Sequence, residues 1–161
     1  LYLQYPELAE RAGREMAFRL KETVPDLQPT VVISPALGGL IIAHECARAL
    51  GVRAVFAERS EGVMTLRRGF ALSPEDVVVV VEDVVTTGRS TGEVVEAVRS
   101  AGLEPAALAC IVDRRGPDAP RPSAPLVGLV RLEIAVWKPE SCPLCAKGLP
   151  AVKPGSRAKS P

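Results

Sequence analysis

Residues Val77 to Val81 are five consecutive valines, and Glu82, Asp83, Val84, Val85, Thr86, Thr87, Gly88, Arg89, Ser90 and Thr91 follow without a break. No amphipathic surface element has this composition. A short β-branched run bounded by turn residues is a strand buried on both faces, the pattern of a parallel sheet covered by helices. Two carboxylates stand at its carboxyl end. Val94, Val95, Val98 and Ala101 then fall on one face of a helix. Strand, acidic pair, hydroxyl-rich glycine turn and helix together build an anion site. Backbone N–H groups at the helix N-terminus point at the anion, and the helix dipole favours it by up to about 2 kcal/mol. Gly88 lets the backbone approach closely. The hydroxyls of Thr86, Thr87, Ser90 and Thr91 are further hydrogen-bond donors.

Neither G-x-G-x-x-G nor G-x-x-x-x-G-K-[ST] occurs, so the site is neither a dinucleotide fingerprint nor a nucleoside-triphosphate loop. Two acids beside a phosphate cradle repel the ligand unless they have another task. Holding the vicinal hydroxyls of a ribose, near a Mg²⁺ carried by the ligand, is such a task. The stretch from Val79 to Thr91 resembles the phosphoribosyl-pyrophosphate (PRPP) signature of type I phosphoribosyltransferases. The resemblance implies an α/β fold with a central, mostly parallel sheet flanked by helices, a flexible lid loop and a short C-terminal appendage.

Length and composition agree with one such domain. The chain has 161 residues, 47% of them hydrophobic and 24% charged, enough to bury a core. A net charge of +1 gives no electrostatic footprint for nucleic acid. No apolar run reaches the length of a membrane span, and no secretory signal is visible. Four cysteines without a regular framework suggest a reducing, cytoplasmic setting. The opening Leu1-Tyr2-Leu3-Gln4 reads as mid-element, so a further N-terminal segment is expected before it.

Along the chain, Leu8, Ala12, Met16 and Leu20 recur every fourth residue and predict a helix over 6–22, with Pro6 at its start. Val31-Val32-Ile33 is a short buried strand. Ser34-Pro35-Ala36-Leu37-Gly38-Gly39 follows it directly, and Leu40, Ala43, Ala47 and Leu50 then predict a helix closed by Gly51. This second strand-turn-helix can present backbone N–H groups to a second anion. His44, alone on that helix, reads as a packing or surface residue. Ala54 to Ala57 is the next strand. The polar stretch from Glu58 to Phe70, with Arg59, Arg67 and Arg68, is long for a connection and predicts a lid; a surface β-ribbon is the plainer alternative. Pro105 to Val112 is another buried strand, ending in Asp113-Arg114-Arg115-Gly116, where an arginine is placed to hold an anionic group. Leu126 to Val136 is predicted as the last strand. Cys142 and Cys145 form one C-x-x-C, half of a zinc site. No second pair follows, although dimerisation could bring two together; structural cysteines are the plainer reading.

The chain as a whole is similar to the orotate phosphoribosyltransferase family, over Leu1 to Gln4, Ser34 to Gly39, Phe56 to Phe70, the PRPP signature, Val112-Asp113-Arg114 and the tail from Cys142 to Lys153. The resemblance implies a Mg²⁺-dependent cytoplasmic homodimer acting on PRPP and orotate, with no nucleic acid and no membrane as partner. It implies a PRPP-binding domain over 1–136, with the 137–161 tail packed on it, and an N-terminal hood of which the first four residues look like the last strand. By it Glu82, Asp83 and Arg59 are catalytic, with Mg²⁺ near Asp83. The segment Thr86, Thr87, Gly88, Arg89, Ser90 and Thr91 holds the 5′-phosphate. Ala36, Leu37, Gly38, Gly39, Arg67 and Arg68 hold the pyrophosphate. Arg114, with Thr87, holds orotate. One departure stands out: many members carry a Lys and a His in the flexible loop, and Arg59 to Phe70 has neither. A purine (adenine or xanthine) phosphoribosyltransferase and a non-catalytic PRPP-sensing regulator are the alternatives.

Overall fold

A computed structural model describes residues 2–116 and 119–149. Six strands form one sheet: β1 (Val31–Pro35), β2 (Arg53–Ser60), β3 (Val63–Leu66), β4 (Val78–Val85), β5 (Pro105–Asp113) and β6 (Leu126–Arg131). Their spatial order is β3-β2-β1-β4-β5-β6. All neighbours run parallel except the β2–β3 pair. Helices α1 (Pro6–Thr23) and α2 (Leu40–Leu50) cover one face, and α3 (Arg89–Ser100) covers the other. This is the architecture that the valine run predicts.

The valines earn their central position by burial on both sides. Val79 and Val81 join Met16, Leu20, Ile42 and Cys46 in the core under α1 and α2. Val78 and Val80 join Val94, Val95 and Val98 of α3. Alternate side chains of one strand thus feed both cores, as the period of two requires. The predicted stripe of α1 is buried at Ala12, Met16 and Leu20, widened by Ala9 and Ala17.

Register opens the crevice in which a ligand can sit. β1 pairs with β4 only from Val31↔Val78 to Ile33↔Val80. It stays with β2 to Pro35↔Ala57, while β4 stays with β5 to Val85↔Asp113. Beyond Val80 the two central strands therefore part at their carboxyl ends. α2 follows β1 on one face and α3 follows β4 on the other, so this is the topological switch point of the sheet.

Three sequence expectations are corrected: the hood strand end, the end of β6 and the end of β4. Tyr2–Gln4 is a single 3₁₀ turn, not a strand end. Tyr5 donates its N–H back to the Tyr2 carbonyl at 3.3 Å, and Pro6 directs the chain straight into α1. β6 stops at Arg131 and does not reach Val136. Its partner β5 ends at Asp113, whose carbonyl accepts the Leu132 N–H at 2.9 Å, and no ladder remains to pair with. β4, in contrast, runs on through the acidic pair to Val85, because β5 accompanies it that far. The stretch predicted as a lid is built as a β-ribbon in its first half. β2 turns at Glu61 and Gly62, both with positive φ, into β3; that geometry matches the twist of a tight hairpin. Phe70 then packs edge-on against Phe56, with ring centroids 5.0 Å apart.

Candidate active site

A cavity of about 260 Å³ fills the crevice and is lined by Pro35, Ala36, Gly38, Arg59, Met64, Glu82, Asp83, Val84 and Ser90. Four separate segments meet here: the turn after β1, the ribbon, the acidic end of β4 and the start of α3. The turn lies directly on the acids. A Cβ added at Gly38 would stand 3.0 Å from Asp83 Oδ2, and one at Gly39 would stand 3.3 Å from Glu82 Oε1 and 3.1 Å from the Val81 carbonyl. The two glycines are therefore needed for close approach, not merely for turning. Ser34, beneath them, is fully buried and its Oγ has no hydrogen-bond partner.

The two acids differ. Glu82 is buried, and Asp83 is partly open to the cavity. Burial, reinforced by the neighbouring Asp83 carboxyl, raises the Glu82 pKa from 4.5 to about 8. Glu82 Oε1 accepts the Asp83 N–H at 3.1 Å, and Asp83 Oδ1 accepts the Val84 N–H at 2.7 Å. At neutral pH the site thus holds a protonated Glu82. The sequence motif gives both residues the same weight; the distinction comes from the third dimension.

After β4 the chain enters α3 through Gly88, which is left-handed (φ 75°). A glycine cap offers no side chain, so the first-turn N–H groups are left for an anion, apart from that of Arg89, which Thr87 Oγ1 accepts at 3.4 Å. The hydroxyls expected to act together are divided. Ser90 faces the crevice, whereas Thr87 and Thr91 line a second cavity of about 210 Å³ beside it. Thr86 is exposed at the rim. Arg89 is turned away to Glu93, with Nε 3.0 Å from Oε1.

Of the ribbon arginines, one reaches the site. Arg59 lines the cavity with its guanidinium held by Glu93 of α3, a bridge that ties ribbon to helix. Arg67 and Arg68 lie instead on Glu58, at 3.7 and 3.0 Å. The structure does not bring them to the glycine turn.

At the end of β5 the two arginines separate. Arg115 turns back and pairs with both oxygens of Asp113 at 2.9 Å. This pair holds the Asp113 carboxyl below the ordinary carboxylate range. Arg114 is exposed; its N–H donates to the Val85 carbonyl at 2.8 Å, which pins it beside the Thr86 turn. Among the described residues its guanidinium has no partner. His44 is a surface residue, its side chain 73% exposed. Cys142 and Cys145 lie far along the chain in the tail, free and accessible. Residues 150–161, including the end of the tail motif, lie outside the described residues. Sequence reasoning missed Met64 as a cavity wall and Glu93 as the anchor of Arg59; only Glu93, one turn into α3, carried a signal, as a charge opposite a basic ribbon.

Residues 3–144 match the family model of the phosphoribosyl transferase domain. The chain is 48% identical over 155 residues to the orotate phosphoribosyltransferase of Heliobacterium modesticaldum, covering 96% of this chain and 80% of that protein. It is 50% identical over 152 residues to that of Carboxydothermus hydrogenoformans, covering 94% and 78%. In fold it is similar to the adenine phosphoribosyltransferase of Thermoanaerobacter pseudethanolicus (TM-score 0.68, 15% identity, 81% of this chain and 84% of that one). It is likewise similar to the orotate phosphoribosyltransferase of Mycobacterium tuberculosis in complex with PRPP (TM-score 0.64, 24% identity, 81% and 77%).

Proposed function

The chain belongs to the orotate phosphoribosyltransferase family, and on that premise we propose that it transfers the ribose 5-phosphate group of PRPP to orotate, giving orotidine 5′-monophosphate and pyrophosphate. One observation carries the site assignment: the crevice juxtaposes a glycine turn, an acidic pair and an uncapped helix start, a ribose acceptor flanked by two anion cradles.

In this reading the α3 N-terminus, with Ser90, Thr86 and Gly88, receives the 5′-phosphate. Asp83 and Glu82 receive the ribose hydroxyls, Asp83 as acceptor and protonated Glu82 as donor as well. The Ala36 to Gly39 turn and Arg59 receive the pyrophosphate. Arg114, with Thr87, receives the orotate carboxylate. The orotate nitrogen then bonds to the anomeric carbon as the bond to the pyrophosphate oxygen breaks. Charge builds on the ring in the manner of glycosyl transfer, so the protein's contribution is alignment and electrostatic stabilisation. Arg59 has to exchange Glu93 for the leaving group. Arg67 and Arg68 would have to leave Glu58 to take part.

The donor set fits Mg²⁺. Asp83 offers hard carboxylate oxygens in the crevice, and among the described residues no group of three His, Cys, Asp or Glu forms a dedicated cage. Mg²⁺ usually arrives on substrate phosphates and takes one or two protein carboxylates. When bound it supplies charge neutralisation to the departing pyrophosphate. No helix among the described residues is long and apolar enough to cross a membrane; the cytoplasm is the proposed location and a homodimer the proposed assembly. The test is turnover with PRPP and Mg²⁺ against orotate, adenine, hypoxanthine and xanthine. Product from orotate alone is expected. Turnover of a purine in its place overturns the base assignment, and PRPP binding without turnover of any base overturns the enzymatic one.

A further inference from the structure

The tail carries an organised pair of thiols that the transferase reaction does not use. The C-x-x-C turn runs Cys142-Pro143-Leu144-Cys145 between two 3₁₀ turns, Pro139–Ser141 and Cys145–Lys147. Its backbone is closed on itself. The Ala146 N–H donates to the Cys142 carbonyl at 3.0 Å, the Gly148 N–H to the Cys145 carbonyl at 2.9 Å, and the Leu149 N–H to the Leu144 carbonyl at 3.2 Å. Left-handed Gly148 (φ 67°) ends the turn. The two cysteines thus stand three residues apart on one closed turn, both free and reached by solvent.

The other two cysteines are different in kind. Cys46 and Cys110 are buried among apolar residues, and burial pushes each thiol up to about 12. They are small core residues. A dithiolate turn of this form supplies two ligands to a soft or borderline metal, and structural zinc takes four in a tetrahedron. Among the described residues no third His, Cys, Asp or Glu joins the pair. The shortfall of two equals what a second tail supplies. The same tail exposes apolar side chains, Val136 at 88%, Leu149 at 54%, Leu144 at 51% and Trp137 at 49%. Exposed large apolar side chains on so short a segment favour a protein contact. A two-fold axis between tails would close the ligand set and bury this surface with one self-complementary contact.

We propose that Cys142 and Cys145 supply half of a tetrahedral zinc site that the same turn of a second copy completes. The full chain, freed of metal and kept reduced with a phosphine, is titrated with Co²⁺ and then with Zn²⁺. Four thiolates around Co²⁺ give intense tetrahedral d–d bands with sulfur-to-metal charge transfer. The expected result is those bands saturating at one metal per two chains, bleached by Zn²⁺, with cross-linked species appearing by light scattering. Cys142→Ser and Cys145→Ser should each abolish the bands while circular dichroism stays unchanged. Saturation at one metal per chain overturns the shared site. Failure to bind, or binding that survives both substitutions, overturns the metal assignment.

Discussion

Glu82 gives the sharpest test of the site's electrostatics. Its carboxyl is buried beneath Gly39 and beside Asp83, and its pKa rises from 4.5 to about 8. In an unfolded chain the same group titrates near its ordinary value. Between these values the folded protein holds a proton that the unfolded chain has released. Stability from this group is therefore fully present below about pH 4.5 and is lost as pH rises through about 8. The full rise corresponds to a ceiling on the order of 5 kcal/mol, which solvent relaxation in an open crevice lowers.

Glu82→Gln copies the protonated form, so it isolates this contribution from every other titrating group. The measurement is urea unfolding of both proteins without ligand at several pH values. At pH 4 the two should agree to within about 1 kcal/mol, the size of an altered hydrogen bond, and the gap should open steadily from about pH 4.5 to about pH 8. At pH 9 the Gln variant should be the more stable by about 2 kcal/mol or more. For a chain of this size that is a rise in midpoint temperature of roughly 4–8 °C. A stability difference that does not change between pH 4 and pH 9 would refute the buried, protonated Glu82.

Five further outcomes are expected. Asp83→Asn should fold normally but lose at least about tenfold, roughly 1.4 kcal/mol, in PRPP–Mg²⁺ binding or turnover, read by calorimetry and steady-state kinetics. Arg114→Ala should cost about ten- to a hundredfold in orotate affinity, the worth of a charged hydrogen bond of about 1.5–3 kcal/mol, and leave PRPP affinity nearly unchanged. Arg115→Ala should instead lower the unfolding midpoint, because it removes both guanidinium hydrogen bonds to buried Asp113 and leaves only Arg131, at 3.7 Å, as its cation; a selective orotate defect in this variant would mean that the wrong arginine is assigned. Gly38→Ala places a methyl at 3.0–3.2 Å from the Asp83 carboxyl, so it should weaken PRPP binding more than it lowers stability, and wild-type affinity would discount the cradle. Amide exchange in the 59–70 ribbon should slow when PRPP and Mg²⁺ are added, as Arg59 leaves Glu93 for the ligand; unchanged protection would make the ribbon a fixed wall.

What could be read from the sequence is what depends on neighbours along the chain. The valine run, the four-residue spacing of Leu8 to Leu20 and the glycines at 38, 39 and 51 each state a local geometry, and each was found in place. The adjacent acids and the Thr-Thr-Gly turn are likewise local, so the make-up of the candidate site is legible without any strand pairing. What the sequence withheld depends on register. β6 ends at Arg131 because β5 ends at Asp113, and nothing within Leu126 to Val136 announces that limit. Glu58 recruits Arg67 and Arg68 across the ribbon, so three arginines of equal promise become one in the site and two outside it.

The crevice itself is a property of register. Ile33↔Val80 is the last pair between β1 and β4, yet both strands continue with their outer neighbours. Had β1 kept pace with β4, its turn would have met the acids edge to edge in the sheet, with no volume between them. Because it departs early, the turn folds back over Glu82 and Asp83 at a distance where an added Cβ would crowd the carboxyls. That fold-back also removes Glu82 from water and leaves Asp83 partly in it. One offset in strand pairing thus produces the cavity, the need for glycine and the division of labour between two adjacent acids, and a variant that altered any one of the three would be expected to disturb the other two.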